Sequence, residues 1–191
     1  MANKDAPFGL KPIGKVGQNR DNQGLSEYDI AASATAIYFQ DPVKMLSTGT
    51  IGVAAAGDAL LGAITGVFFT DASTSKPTFA NHLDASNAAT DIKGFVTDDP
   101  YERFEIQTNN SGASATTDIF NVADIVYAAG SSPDYVSQVE LNDSTLANGS
   151  SATLQILGLS KDPDNSDVGS ANVNWVVRIN EHQLDMNVNG V

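Results

Sequence analysis

Two histidines, His82 and His182, and no cysteine set the limits of what this 191-residue chain can do as a catalyst or metal carrier. A zinc or nucleophile site needs several imidazole, thiolate or carboxylate groups converging in one place. His82 has Asp84 nearby and His182 has Asp185, pairings that suit ordinary polar contacts better than a triad or a metal centre. Without cysteine, disulfides, zinc fingers and thiol catalysis are excluded. The run Asp162-Pro163-Asp164-Asn165-Ser166-Asp167 sets oxygens at alternate positions, as the start of a calcium loop does. An EF-hand then wants glycine at its sixth position and glutamate at its twelfth, where this chain has Asp167 and Val173, so a solvated turn is expected and no metal is assigned. Ser73-Thr74-Ser75-Lys76 fits the S-x-x-K nucleophile pattern but lacks the companion motifs that make it an active site. Asp98 and Asp99 are adjacent, so their side chains diverge and suit a turn before Pro100. No nucleophile elbow, phosphate-binding loop or dinucleotide fingerprint occurs. The chain is expected not to be an enzyme and to use no cofactor.

The charge distribution says more. There are 23 acidic residues against 10 basic ones, a net charge of −13. Four of the basic residues, Lys4, Lys11, Lys15 and Arg20, fall in the first 20 positions, where only Asp5 opposes them. Residues 1–27 also hold Pro7, Gly9, Pro12, Gly14, Gly17 and Gly24, a spacing that no helix survives. The expectation is an extended arm over residues 1–27 that docks on another protein, with Phe8, Leu10 and Ile13 as apolar anchors and Lys4, Lys11, Lys15 and Arg20 facing the partner's carboxylates. Phosphate binding needs clustered lysine and arginine, so a body this acidic argues against nucleic acid. The longest near-apolar stretch, Ala59–Phe69, is too short and too broken by glycine to span a bilayer as a helix. No secretory leader is evident, so a soluble protein made in the cytoplasm, without membrane contact, is expected.

From Tyr28 onward the pattern is one of short strands. Val43–Leu46, Thr50–Val53, Ala59–Phe69, Ile92–Val96, Arg103–Thr108, Thr153–Leu159 and Asn174–Glu181 are apolar or alternating segments separated by turn residues every 8–12 positions. Ala36–Phe39, short and apolar, and Tyr135–Leu141, alternating with Val139 and Leu141 on one face, read as further strands, and residues 70–91 read as a long surface loop. Thr116, Thr117 and Asp118 each offer a cap for one short helix reaching about Ala123, although Ile119 to Tyr127 also suits a strand. The expected fold is all-β, a small barrel or sandwich forming one domain over residues 28–191, with at most that single helix. Trp175 alternates with Val177 and Ile179 and is expected in the core.

Two blocks resemble a known family. Asp41-Pro42-Val43-Lys44 followed by Gly57-Asp58-Ala59-Leu60-Leu61-Gly62-Ala63 is similar to a cadence of tailed-bacteriophage head decoration (capsid cement) proteins. Thr153–Leu159, Asp162–Asn165 and Asn174–His182 resemble phage virion structural proteins, as does the opening Ala6-Pro7-Phe8-Gly9-Leu10. The resemblance implies a β-rich protein on the outer surface of a phage head that stabilises the shell by binding the major capsid protein, with copies of itself as homotrimers. It carries over no catalytic or ligand residues. The rival reading is a tail or fibre module that binds a host-surface glycan, which would call for exposed aromatic rings.

Overall fold

The computed structural model describes residues 3–17, 25–109, 112–149 and 151–185. Its strands in chain order are β1 Lys11–Lys15, β2 Ser26–Asp29, β3 Pro42–Met45, β4 Ile51–Val53, β5 Gly62–Thr70, β6 Pro77–Ala80 and β7 Lys93–Thr97. They continue with β8 Glu102–Gln107, β9 Val122–Ala123, β10 Ile125–Val126, β11 Glu140–Leu141, β12 Leu154–Leu159 and β13 Asn174–Ile179. The protein is all-β. One sheet has the order β1-β8-β13-β12-β9, a second has β2-β7-β5-β3-β4 with β6 also paired to β5, and β10-β11 form a small ribbon. Every ladder among the described residues is antiparallel. No closed barrel forms, which leaves the sandwich form of the expectation.

The first sheet is built on the two strands whose alternation is clearest. On β13, Trp175, Val177 and Ile179 point into one core with Phe104 and Ile106 of β8 and Leu154 and Ile156 of β12. The second core gathers Ile30, Ile37, Val43, Ile51, Ile64, Val67 and Val96. The beginning of β5 and the residues just before it serve both: Leu60 and Ala63 belong to the first core, Leu61 and Ile64 to the second. Burial on two faces explains why Leu60-Leu61-Gly62-Ala63-Ile64 is continuously apolar where a half-buried strand would alternate. Gly62 is needed there, because a Cβ would lie 2.1 Å from the Thr97 carbonyl oxygen.

The second sheet curls. The β5–β7 register shifts between Ile64 and Gly66, and a single parallel bridge from Ile30 to Ile51 brings its two edges together. Inside the curl the Cδ1 atoms of Ile30, Ile51 and Ile64 stand 3.0–3.2 Å from where a Cβ on Gly94 would be. A side chain at this position would force those three methyl groups to give way by a few tenths of an ångström.

Several local readings differ from the structure. Residues 70–91 are not one loop, since Pro77–Ala80 form β6 against β5. The connection is short because the Asp71 carboxylate accepts the N–H groups of Ser73 and Thr74 and folds the chain back at once. The helix near Asp118 is a single 3₁₀ turn, Thr116–Asp118. The β-branched run that follows, with Ile119, Val122, Ile125 and Val126, favours the extended β9 and β10. Ile37 and Phe39 make isolated bridges, to Leu83 and Val136, in place of a full strand. Of Tyr135–Leu141, only Glu140–Leu141 enter a ladder.

Candidate interaction surfaces

The N-terminal segment is extended, but it docks on its own chain. β1 pairs with β8, setting Lys11 opposite Glu105, Pro12 opposite Phe104, Gly14 opposite Arg103 and Lys15 opposite Glu102. Upstream, the Gln107 amide donates to the Lys4 carbonyl and its oxygen accepts the Ala6 N–H, while the Asn165 amide donates to the same Lys4 carbonyl at 2.7 Å. Leu10 is 0% exposed and belongs to the first core. Gly9 makes the approach possible: at φ +76° it lies so close to Gln40 and Ser137 that a Cβ would sit 2.4–2.5 Å from their atoms.

This corrects the reading of the segment as an arm held for another molecule, and with it the boundary between residues 27 and 28. Leu10 is spent on the chain's own core. Lys11 pairs with Glu105 at 3.0 Å and Lys15 with Asp99 at 2.5 Å, so both cations meet carboxylates in cis. Phe8 is half-buried with the Lys11 ammonium 5.8 Å from its ring centre. Ile13, 39% exposed, and Lys4 remain at the surface, and Arg20 lies outside the described residues.

A surface that the residue pattern did not announce lies on the second sheet. Phe79 on β6 is 74% exposed and sits cross-strand from Phe68 of β5, with ring centres 4.8 Å apart. The same ring stacks on Phe95 of β7 at 5.9 Å and 16°. Exposed Leu25 lines the shallow groove beside Phe79 and Phe95. Contiguous apolar surface rimmed by polar groups marks contact sites. The sequence signal was Phe79 itself, a large aromatic in a stretch of small and polar residues.

The candidate chemical residues are occupied elsewhere. The His82 ring stacks flat on Tyr135 at 3.7 Å, shares a hydrogen bond with Asn81 and stands 3.6 Å from Asp84. His182 is buried, with Nδ1 accepting the Leu184 N–H, and burial lowers its pKa. In the 162–167 turn the Asp162 carboxylate accepts the Asp164 N–H and the Asn174 amide. Asp98 accepts the Tyr28 hydroxyl at 2.6 Å, and Asp99 accepts the Tyr101 N–H and pairs with Lys15. Among the described residues no group of three or more His, Asp or Glu side chains is arranged to hold a metal ion. No family model, curated protein or solved structure matches the chain. The surfaces themselves therefore carry the functional reading.

Three carboxyl groups, Asp41, Glu102 and Glu140, are pushed toward their protonated forms chiefly by burial and set a pH dependence; for Glu102 the Gly14 N–H donated to its carboxylate opposes that push. Asp41 is fully buried; burial pushes its pKa from 3.8 up to about 6, partly offset by the Ser137 hydroxyl beside it and the Tyr38 N–H donated to Oδ2. Burial, with Asp5 and Asp143 nearby, pushes Glu140 from 4.5 up to about 7. All three bind protons in the folded state that the unfolded chain has already released, so their contribution is full at low pH and is lost as pH rises, through about 6 for Asp41 and about 7 for Glu140. His182, with its lowered pKa, acts in the opposite sense below 6.5, one group against three. The melting temperature is expected to fall from about pH 5 to about pH 8, and Asp41→Asn to flatten that slope. Calorimetry across this range checks it; a melting temperature rising toward pH 8 contradicts it.

Proposed function

We propose that this chain is a non-enzymatic virion structural protein of the head-decoration kind, made in the host cytoplasm. It seats on the outer surface of a bacteriophage shell, binds the major capsid protein and stabilises the lattice, with copies of itself grouped as homotrimers. The observation that carries the reading is the Phe68–Phe79–Phe95 ridge, an exposed aromatic face on a body of net charge −13. Such a protein gains little from bulk charge when it associates, and a buried aromatic centre is where protein contacts concentrate their energy. The blocks that resemble decoration proteins supply the framework: Asp41–Lys44 leads into β3, Gly57–Ala63 into β5, and Thr153–Leu159 and Asn174–Glu181 hold the paired strands β12 and β13.

Phe79→Ser tests it, because a side chain this exposed can be changed without opening a core. The variant should keep its melting temperature and lose occupancy on purified shells, while cryo-electron microscopy of wild-type virions should place the chain at repeated positions outside the head. Full shell occupancy by the variant, or wild-type protein found only on the tail, overturns the proposal. The stacked Phe79–Phe95 pair also favours a second reading, a tail or fibre module whose aromatic platform takes a host-surface glycan. Binding to host glycans that Phe79→Ser abolishes, together with no shell binding, would select it.

A further inference from the structure

The chain has only three arginines, and two of them stand side by side. Arg103 of β8 is registered directly opposite Arg178 of β13, in a cross-strand row that runs Gly14, Arg103, Arg178, Gln155. Directly opposed residues of antiparallel strands share a face, and like charges placed so are destabilising. The row offers no relief. The Arg103 guanidinium lies over Gly14, which has no side chain, and Arg178 Nε donates to the neutral Gln155 oxygen at 2.8 Å. Neither forms an ion pair among the described residues, and Arg103 Nε is buried without a hydrogen-bond partner. The next carboxylate along this face, Glu105, is taken by Lys11 and Ser160. In a protein with more than two acidic residues for each basic one, an arginine pair with no carboxylate within ion-pair distance among the described residues is an unmet demand, even though Asp185 lines a groove with Arg178.

Its surroundings have the composition of a contact surface. Tyr101, 61% exposed, and Leu184 line a groove of about 260 Å³ with Arg178, Asn180 and Asp185. Exposed Val16 joins them through its N–H, donated to the Tyr101 carbonyl. Tyrosine and arginine are the residues that most often anchor protein interfaces.

The complementary surface is on the same molecule but out of reach. A groove of about 730 Å³ has Asp5, Asp134 and Glu140 in its lining and, among the described residues, no lysine or arginine. It flanks the opposite end of β8: Ala6, the neighbour of Asp5, is bonded to Gln107. Arg103 and Gln107 are four residue steps apart along the strand, roughly 13 Å, so one copy does not satisfy its own arginines with these carboxylates. Crowding and burial already hold Glu140 toward its neutral form, as expected of a carboxylate lacking a cation.

We infer that Arg103 and Arg178 of one copy dock into the Asp5–Asp134–Glu140 groove of a second copy, with Tyr101 packed beside them, so that the chain self-associates head to tail. Guanidinium and carboxylate groups match as paired, charge-assisted hydrogen bonds. Because the two surfaces differ, the contact is heterologous and builds a ring or an open chain of copies. It deepens the self-association within the proposed function, yet it is read on the purified chain without any shell, so the loss of shell docking and the loss of this contact are separate results.

The test is a charge exchange followed by analytical ultracentrifugation. One variant carries Arg103→Glu with Arg178→Glu, the other Asp134→Lys with Glu140→Lys. Wild-type protein is expected to associate, with its dissociation constant rising as salt is added. Each variant alone should associate at least ~30-fold more weakly, the scale of removing one side of a charge pair. An equimolar mixture should regain association, because the acidic knuckle of one then meets the basic groove of the other. That rescue separates a lost contact from a misfolded variant. Wild type that stays monomeric at all accessible concentrations, variants that associate as wild type does, or a mixture that stays dissociated each overturns the inference.

Discussion

Leu10→Ala is expected to lower the stability of the isolated protein by ~2–5 kcal/mol, the range for truncating a large buried aliphatic residue. The side chain is 0% exposed and sits in the first core, anchored by the Leu10 N–H donated to the Gln40 carbonyl at 2.9 Å. If the N-terminal segment were an arm reserved for another protein, the substitution would leave the melting curve of the free chain unchanged. Urea denaturation therefore decides where residues 3–15 spend their binding energy. Gly9→Ala should weaken the same attachment through a different cause, since the added methyl meets the Gln40 carbonyl and the backbone must leave φ +76°. Deleting residues 2–20 removes β1 and Leu10 together and is expected to destabilise the fold, so loss of partner binding by such a truncation would not locate the partner's contact.

Trp175→Ala is expected to cost ~3–5 kcal/mol, as large aromatic truncations in cores do. The ring is fully buried between the side chains of β8 and β12, opposite Ile106 on one side and Leu159 on the other. Trp175→Phe should cost much less than the lost volume suggests, because the indole Nε1 is buried without a partner among the described residues and phenylalanine removes that unpaired donor. Circular dichroism in urea measures both, and the folded wild type should show a blue-shifted fluorescence maximum from this sole tryptophan. An emission maximum like that of tryptophan in water would contradict the placement.

The strands that carry the first core were legible because β8, β12 and β13 each have one wet and one dry side, so period-two alternation survives in their residues. Gln107 shows the limit of that signal. Alternation correctly points it away from Ile106 and the apolar core, yet it is 1% exposed because residues 4–6 cover it. Polar side chains that hydrogen-bond a passing backbone look, in sequence, like side chains that meet water. The same ambiguity hid the docking of the N-terminal segment, whose charges suited a foreign carboxylate as well as Glu105 and Asp99. The phenylalanine ridge was hidden for another reason. Phe68, Phe79 and Phe95 are far apart in the chain, and only the β6–β5–β7 register gathers them. The arginine row is likewise a product of register, since Arg103 and Arg178 are 75 positions apart.

The entry into β5, with its neighbours divided between the two cores, has a consequence for how the molecule comes apart. A two-sheet protein with separate cores could melt in two steps, each sheet as its own cooperative unit. Here Leu60 and Ala63 cannot leave the first core without moving Leu61 and Ile64 out of the second, because they are consecutive residues of one backbone segment. The Leu60 N–H is also bonded to the Glu181 carbonyl just beyond β13, and the Gln183 N–H to the Leu60 carbonyl, which ties that segment to the far end of the first sheet. Local opening of either sheet therefore propagates along the shared segment, and the amides of residues 60–64 should exchange with solvent only through global unfolding. That coupling makes the molecule resist being peeled apart one sheet at a time.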